Sequence, residues 1–184
     1  MSEIASRSQI RMSFLRWALV IVPLVVLLGL ASAVLAQSGY GNPWFDALAK
    51  PPSMPPAWLF PVAWTILYVL IGLALAMLLN ARGAARRGRL IGLFVLQLVL
   101  NYAWSPLFFR FHQIAPALAL IAAMVVLTGV LMALLAKVRP LASLLLAPYF
   151  AWLLFAGMLT FQILTLNPEP QEVASLAASP DMPA

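Results

Sequence analysis

Residues 44–72 read WFDALAKPPSMPPAWLFPVAWTILYVLIG and join a proline-rich segment to a long apolar run. Four prolines precede Trp58, at positions 51, 52, 55 and 56. Proline fixes φ, lacks a backbone donor and pushes the preceding residue toward an extended conformation. The segment before Trp58 is therefore predicted to be a structured, non-helical loop. It would act as a lid that carries indole rings to the mouth of a membrane helix.

The amino-acid composition sets the class of protein. Hydrophobic residues make up 64% of the 184 residues and charged residues 9%, and the mean hydropathy is +1.00. A water-soluble domain of this length cannot bury so much apolar surface, so the chain is predicted to fold in lipid. The chain has no cysteine, which excludes disulfides, cysteine-ligated metals and thiol catalysis.

Five apolar stretches are each close to the roughly 20 residues that a helix needs to cross a bilayer. They cover residues 14–37, 57–80, 90–109, 115–136 and 141–166. The sequence thus predicts an all-α integral membrane protein whose five-helix bundle forms one domain, 14–166, with a structured loop at 38–56. Residues 1–13 are predicted to be an N-terminal tail. Residues 167–184, rich in Pro, Ala and Ser, are predicted to be a disordered C-terminal tail.

Positive charges predict the orientation of the bundle. Of eleven Lys and Arg residues, nine lie in the N-terminus and in the second and fourth connections, whereas only Lys50 and Arg110 lie in the first and third. The positive-inside rule then places the N-terminus and the second and fourth connections in the cytoplasm. An odd number of spans brings the C-terminus to the opposite side.

Residues 14–37 also admit a second interpretation, as a cleaved signal peptide. Basic residues precede the run, and the sequence ASAVLAQ resembles a small-residue cleavage site at Ala36. However, the run is longer than a typical signal-peptide core and contains Pro23 in its middle. A membrane span is therefore the favoured interpretation.

Aromatic and amide residues recur on one face of three predicted spans. Intervals of three or four residues place side chains on the same side of an α-helix. The three stripes are Phe60, Trp64, Tyr68 and Ile71; Gln97, Asn101, Trp104 and Phe108; and Tyr149, Trp152, Ala156 and Leu159. Apolar and aromatic surfaces with a few polar groups are typical of small-molecule sites. The stripes therefore predict a flat aromatic pocket between these helices.

These residues also have interpretations that need no ligand. An intramembrane Asn such as Asn101 commonly hydrogen-bonds a neighbouring helix. Trp44, Trp58 and Tyr40 lie where belts of interfacial aromatic residues are frequent. The interfacial explanation is weaker for Trp64, Trp104 and Trp152, which fall deeper in their spans.

The polar residues argue against several classes of protein. No Lys, Arg, Asp or Glu lies in the middle of a predicted span, whereas an ion-coupled pump needs an intramembrane carboxylate. No hydrolytic triad or glycine-rich phosphate loop is visible. The sole histidine, His112, is better explained as a loop or helix-cap residue than as a haem ligand. An enzyme is therefore not the favoured interpretation.

The motifs resemble those of the tryptophan-rich sensory proteins, the TspO or translocator-protein family. The resemblance covers residues 15–167. Its matching positions are Trp44-Phe45, Lys50-Pro51, Pro55-Pro56, Trp58, Trp64, Leu67-Tyr68, Asn101, Trp104, Ser105-Pro106, Phe108-Phe109, His112, Ala117-Leu118, Pro148-Tyr149, Trp152, Phe155-Ala156 and Asn167.

The resemblance implies a membrane receptor or transporter with a sensory or regulatory role, commonly a homodimer. Its implied ligand is a tetrapyrrole, protoporphyrin or haem, or another small hydrophobic molecule. No cofactor is required, and membrane lipid but no nucleic acid is an expected partner. In the family, the site lies between helices beneath the first loop. Carried over by position, the ligand-binding residues are Trp44, Phe45, Trp64, Tyr68, Asn101, Trp104, Trp152, Phe155 and Ala156.

The resemblance leaves a second function open. The family has also been proposed to degrade bound porphyrin under light and oxygen, with pocket tryptophans taking part. A receptor is favoured here because no acid–base or metal-binding constellation accompanies the indoles. Helical bundles default to the bacterial inner membrane, with the outer membrane as the alternative that some family members suggest.

Two departures from the family pattern narrow these expectations. The family places an aromatic residue between the Lys-Pro and Pro-Pro motifs, whereas residues 52–54 here are Pro, Ser and Met. Sterol-binding relatives carry a Tyr followed by an Arg near the end of the last span, where this chain has TFQILTLN. Sterol transport is therefore not expected.

Overall fold

The computed structural model describes residues 7–84, 86–169 and 173. Its helices are α1 (Arg7–Leu35), α2 (Pro43–Ala47), α3 (Leu59–Leu79), α4 (Arg87–Ser105), a π-helical turn (Pro106–Arg110), α5 (Ile114–Ala136), α6 (Pro140–Leu145) and α7 (Ala147–Leu166). Five helical segments are long and apolar enough to cross a membrane, and the described residues contain no strand. The predicted all-α, five-span membrane fold is confirmed.

The helix bounds differ from the predicted spans at three places. The first helix begins at Arg7, so part of the predicted tail 1–13 is helical. The structured loop predicted at 38–56 contains the short helix α2, whereas its proline segment, 51–56, is non-helical as predicted. The fifth span, predicted as one helix over 141–166, is interrupted at Leu146 between α6 and α7. The predicted disordered tail lies almost entirely outside the described residues.

Local chemistry explains two of these differences. Asn42 Oδ1 accepts a hydrogen bond from Phe45 N at 3.0 Å, and Pro43 occupies the first helical position of α2, so this short helix has a complete N-terminal cap. The interruption at Leu146 comes two residues before Pro148, which cannot donate to a preceding carbonyl. Proline thus shapes the loop and also divides the last span.

Glycines set the close packing of α1 against α3. Gly29 of α1 lies directly against the ring of Tyr68, with no space for a Cβ atom. A Cβ atom on Gly72 would lie 2.9 Å from Val22 Cα on α1. Small residues allow helices in a membrane to approach closely and gain van der Waals contact. The position of the Tyr68 ring is therefore set from the α1 side.

The third span ends in a π-helical turn because of Pro106. Proline has no N–H to donate to Tyr102 O, four residues earlier. Ser32 Oγ on α1 donates to that carbonyl instead, at 2.6 Å. The next turn is wide, with Phe111 N donating to Pro106 O at 3.0 Å, five residues back. In this turn the adjacent residues Phe108 and Phe109 are both buried, with 2% and 7% exposure.

Topology follows as a testable prediction from the charge distribution. Arg82 and Arg86 are exposed in the connection between α3 and α4, and Arg89 is exposed in the first turn of α4; this basic end of the two helices is predicted to face the cytoplasm. A reporter inserted beside Arg86 should therefore be cytoplasmic, and a reporter fused after Ala184 should be on the opposite side. Cysteine labelling of the same two positions checks the result, because the chain has no other cysteine. Both reporters on one side would contradict the predicted orientation.

Candidate functional site

A group of aromatic rings fills the space between α3 and α7. We call Phe60, Trp64, Tyr68, Trp152 and Phe155 the deep cluster. Ring centroids lie 5.1 Å apart for Trp64 and Tyr68, 6.3 Å for Trp64 and Trp152, and 6.2 Å for Phe60 and Trp152. Phe155 lies 5.7 Å from Trp152. The rings are tilted or edge-to-face, the arrangements that aromatic quadrupoles favour.

Buried hydrogen bonds connect the deep cluster to α4. Tyr68 Oη donates to Asn101 Oδ1 at 3.0 Å, and Asn101 Nδ2 donates to Tyr149 Oη at 3.0 Å. Gln97 Nε2 donates to the same Tyr149 oxygen at 2.8 Å. We call these four residues the polar chain. It joins α3, α4 and α7, so the three stripes read from the sequence face one another inside the bundle.

A second group of rings lies beneath α2. Trp44 and Phe45 are buried against Phe108 and Phe109, with centroids 5.4 Å apart for Trp44 and Phe108 and 5.2 Å for Phe45 and Phe109. Trp104 stacks on Phe108 at 5.2 Å and 18°. We call these five residues the loop cluster. Trp104 also packs against the core to which Trp64, Tyr68 and Trp152 belong, so it lies between the two groups.

Tyr40 provides a further connection between the two clusters. Its ring lies 5.5 Å from Phe45 and 6.5 Å from Phe60. From the sequence, Tyr40 is predicted to be an interfacial aromatic residue and not part of a ligand site. The predicted ligand-binding residues did not include three members of the predicted stripes, Tyr149, Gln97 and Phe60. The helical spacing of these three residues was the sequence feature that could have placed them at the site.

The loop that carries α2 is held at both sides of the bundle. Besides capping α2, Asn42 donates from Nδ2 to Gln37 O at 3.2 Å and to Phe109 O at 3.4 Å. On the other side, Asn167 Oδ1 accepts from Ala49 N at 2.9 Å and Asn167 Nδ2 donates to Ala49 O at 3.0 Å. The predicted structured loop is thus attached to the ends of the third and fifth spans.

Lys50 and His112 stabilise the same loop from outside the membrane spans. Lys50 Nζ donates to Asp46 O at 3.0 Å and lies 4.8 Å from the centre of the Phe45 ring, within cation–π range. Partial burial lowers the pKa of Lys50, an effect that the charge of Asp46 opposes. The His112 ring stacks on Trp44 at 4.4 Å. Burial lowers the pKa of His112, opposed by a hydrogen bond with the Phe109 backbone, so the neutral imidazole is favoured at neutral pH.

The nine predicted ligand-binding residues therefore fall into one connected set. Trp64, Tyr68, Trp152 and Phe155 belong to the deep cluster, and Ala156 packs against the core that contains Tyr68. Trp44, Phe45 and Trp104 belong to the loop cluster, and Asn101 to the polar chain. An open depression of about 330 Å³ at the end of α1 is lined by none of the nine. In the described part of the chain, no three His, Asp or Glu residues are grouped to hold a metal ion.

Five apolar spans, an anchored aromatic loop and buried rings between helices define a small multi-pass membrane protein with its candidate site inside the helical bundle. The sequence model of the TspO/MBR family matches residues 19–166. The chain belongs to that family.

Relatives from three organisms share most of the chain. The Tryptophan-rich protein TspO of Chlorobaculum tepidum is 38% identical over 155 residues, which cover 80% of this chain and 98% of the relative. The Translocator protein of Bos taurus is 39% identical over 131 residues, or 68% of this chain and 75% of the relative. The Tryptophan-rich sensory protein of Cereibacter sphaeroides is 35% identical over 124 residues, or 67% and 77%.

The hydrogen bonds of Asn167 predict how firmly the loop is attached. Asn167→Ala removes both bonds to Ala49, each worth about 0.5–1.5 kcal/mol, so amides near Ala49 should exchange with solvent roughly 5- to 160-fold faster. Hydrogen–deuterium exchange of the purified protein measures this. Thr165→Ala is the matched control, because Thr165 Oγ1 bonds only within its own helix, to Gln162 O. Equal exchange in both variants would contradict the anchoring role.

Proposed function

We propose that this protein is a membrane receptor or transporter that binds porphyrins and related flat hydrophobic ligands at the deep cluster, beneath the α2 loop, with a sensory or regulatory role. The observation that carries the proposal is the meeting of aromatic stripes from α3 and α7 next to the buried polar chain. The relatives bear sensory and translocator names, which accord with a non-enzymatic role.

The chemistry of the deep cluster suits a planar, apolar ligand. Indole and phenol rings offer large rigid faces for stacking, and such contacts add to the free energy of simple apolar burial. The rings of Phe60 and Trp152 make edge contacts across the space between α3 and α7. A flat molecule can enter between these rings only if the two side chains rotate out of contact. The proposal therefore requires side-chain rearrangement on binding, which is common at binding sites.

Two polar groups fit the acidic substituents that porphyrins carry. Trp104 Nε1 is buried and has no hydrogen-bond partner among the described residues, so it is available to donate to a ligand oxygen. Lys50 carries its charge at the outer edge of the loop, close to Phe45. A carboxylate could accept a hydrogen bond from the Trp104 indole or pair with the Lys50 charge. Either interaction favours binding of an anionic porphyrin over a neutral aromatic molecule of similar size.

A titration of the purified protein with protoporphyrin tests the proposal. The experiment follows tryptophan fluorescence and the porphyrin absorption spectrum, first in darkness and then in light. Saturable quenching in darkness, with the porphyrin bands intact in light, is the expected result. Light-dependent loss of those bands that requires the protein's tryptophans would instead support porphyrin degradation. Absence of saturable quenching would contradict a porphyrin site.

A further inference from the structure

A group of exposed basic side chains lies at the end of the bundle opposite the α2 loop. They belong to the connection between α3 and α4, the first turn of α4 and the connection between α5 and α6. We call them the basic surface; they are Arg82, Arg86, Arg89, Lys137 and Arg139. Asp46 in α2 and Glu169 after α7 lie at the other end. Within the described part of the chain, no carboxylate side chain therefore neutralises the basic surface.

The two connections that carry the basic surface are neighbours in space. Helix α6 begins at Pro140, directly after Arg139, and is only six residues long, or about 9 Å. It packs against α3 as well as against α5. A helix this short reaches only the part of α3 near its end at Leu79, the end that leads into Arg82. The charges of both connections therefore act on the same region of the membrane surface.

Arg87 lies in the same stretch of sequence but has a role inside the fold. Its Nη2 donates to Leu79 O at 2.7 Å, which ties the start of α4 to the end of α3. Arg87 is half-buried, whereas the preceding Arg86 is exposed and has a φ of 60°, in the left-handed region. One arginine thus holds this compact turn together, and the exposed arginines are not needed for that contact.

Exposed apolar side chains adjoin the basic surface in α6. Leu141 and Leu144 are 56% and 66% exposed, and they follow Arg139 in the chain. A spacing of three residues places both leucines on one face of the helix. In a bilayer, exposed leucines contact acyl chains, while Lys and Arg near a helix end reach the headgroup level. Arg139 and these two leucines therefore match the charged and the apolar parts of a phospholipid.

The basic residues at the opposite end are engaged by the protein itself. Lys50 Nζ donates to Asp46 O at 3.0 Å and to Leu48 O at 3.3 Å. Arg110 Nη1 donates to Leu35 O at 3.5 Å. The carboxylate of Asp46 is also exposed there and would repel a negative headgroup. The two ends thus differ in the partners of their cations as well as in the number of positive charges.

We propose that the basic surface, together with α6, binds an anionic phospholipid. The lipid phosphate accepts hydrogen bonds from Arg139 and Lys137, and the acyl chains lie along Leu141 and Leu144. Arginine suits this role because its planar guanidinium donates to two phosphate oxygens at once. The arginines near the start of α4 add attraction for the negative headgroup. The surface includes no member of the deep cluster or the loop cluster, so its test needs no porphyrin and is independent of the proposed function.

Native mass spectrometry of the purified protein tests the proposal. Titration with phosphatidylglycerol and with phosphatidylcholine of identical acyl chains gives a Kd for each lipid. A basic residue near the membrane surface contributes about fivefold to anionic-lipid affinity, so Lys137 and Arg139 together should give the wild type roughly a 25-fold preference for phosphatidylglycerol. Arg139→Gln should reduce that preference about fivefold. Combining it with Lys137→Gln should make the two Kd values nearly equal, whereas Arg139→Lys should keep most of the preference.

Arg110→Gln is the matched control, because it removes one exposed arginine at the opposite end and should change the preference less than twofold. The Tm of each variant confirms that it is folded. Equal affinity of the wild type for the two lipids would overturn the proposal without recourse to any variant. So would equal losses in Arg110→Gln and Arg139→Gln, because net charge alone would then attract the lipid. Displacement of phosphatidylglycerol by soluble glycerol phosphate would also overturn it, since the leucines would then contribute nothing.

Discussion

Replacing Gly29 by alanine should destabilise the bundle by about 3 kcal/mol, the upper part of the range for overpacking a well-packed core. The added Cβ atom would overlap the ring of Tyr68. That ring cannot retreat easily, because Tyr68 Oη donates to Asn101 and its ring contacts Trp64 and Tyr102. The Tm in nanodiscs should fall by about 6–12 °C. Affinity for protoporphyrin should fall too, because Tyr68 belongs to the proposed site.

Gly92→Ala provides the matched control for that variant. A Cβ atom on Gly92 would meet nothing within 4 Å, and the residue lies in the long helix α4. Alanine there should be neutral or stabilise by about 0.4–1 kcal/mol, since it lowers the conformational entropy of the unfolded chain. A double variant, Gly29→Ala with Tyr68→Leu, should recover part of the lost Tm because the two positions are in contact. Equal Tm values for Gly29→Ala and Gly92→Ala would contradict the close packing.

The sequence predicted the parts of this structure that depend on periodicity and hydropathy. Five apolar runs gave five candidate spans, because in lipid the backbone N–H and C=O groups must bond to one another and a helix achieves this within a single segment. Helical spacing placed Trp64, Asn101 and Trp152 on inward faces, and the buried hydrogen bonds of Tyr68 and Asn101 connect these three faces. Hydropathy and helical spacing are both properties of a single helix. They can therefore be recognised in the sequence without knowing which helices pack together.

Features that depend on distant residues escaped prediction. Asn167 anchors Ala49 from 118 positions away, and nothing in either local sequence indicates the pairing. In the sequence, Gly29 does not differ from other glycines in apolar helices. Its importance follows only from its contact with Tyr68 in the structure. The spacing of aromatic residues along a helix also does not determine whether rings that face each other touch or leave a cavity between them. Here they touch, because the side chains are large enough to fill the gap between α3 and α7.

Trp152→Leu should weaken protoporphyrin binding by about 1–3 kcal/mol, or roughly 5- to 160-fold in Kd, the range for loss of an aromatic stacking partner. Trp152 contacts Phe60, Trp64 and Phe155, so its ring is the centre of the deep cluster. Leucine is apolar and compatible with lipid, and the fold should survive the change. Quenching titrations in darkness measure the Kd, and the Tm confirms that the variant is folded.

Trp58→Leu separates a specific loss from a general loss of indoles. Trp58 is 63% exposed, at the start of α3 and outside both clusters. Its replacement removes one tryptophan from the fluorescence signal but no ring from the deep cluster, so Kd should change less than twofold. If both variants bind equally weakly, the quenching reports a nonspecific association with indoles at the membrane surface. If neither changes Kd, the ligand binds elsewhere, and the packed rings between α3 and α7 serve only to hold the two helices together.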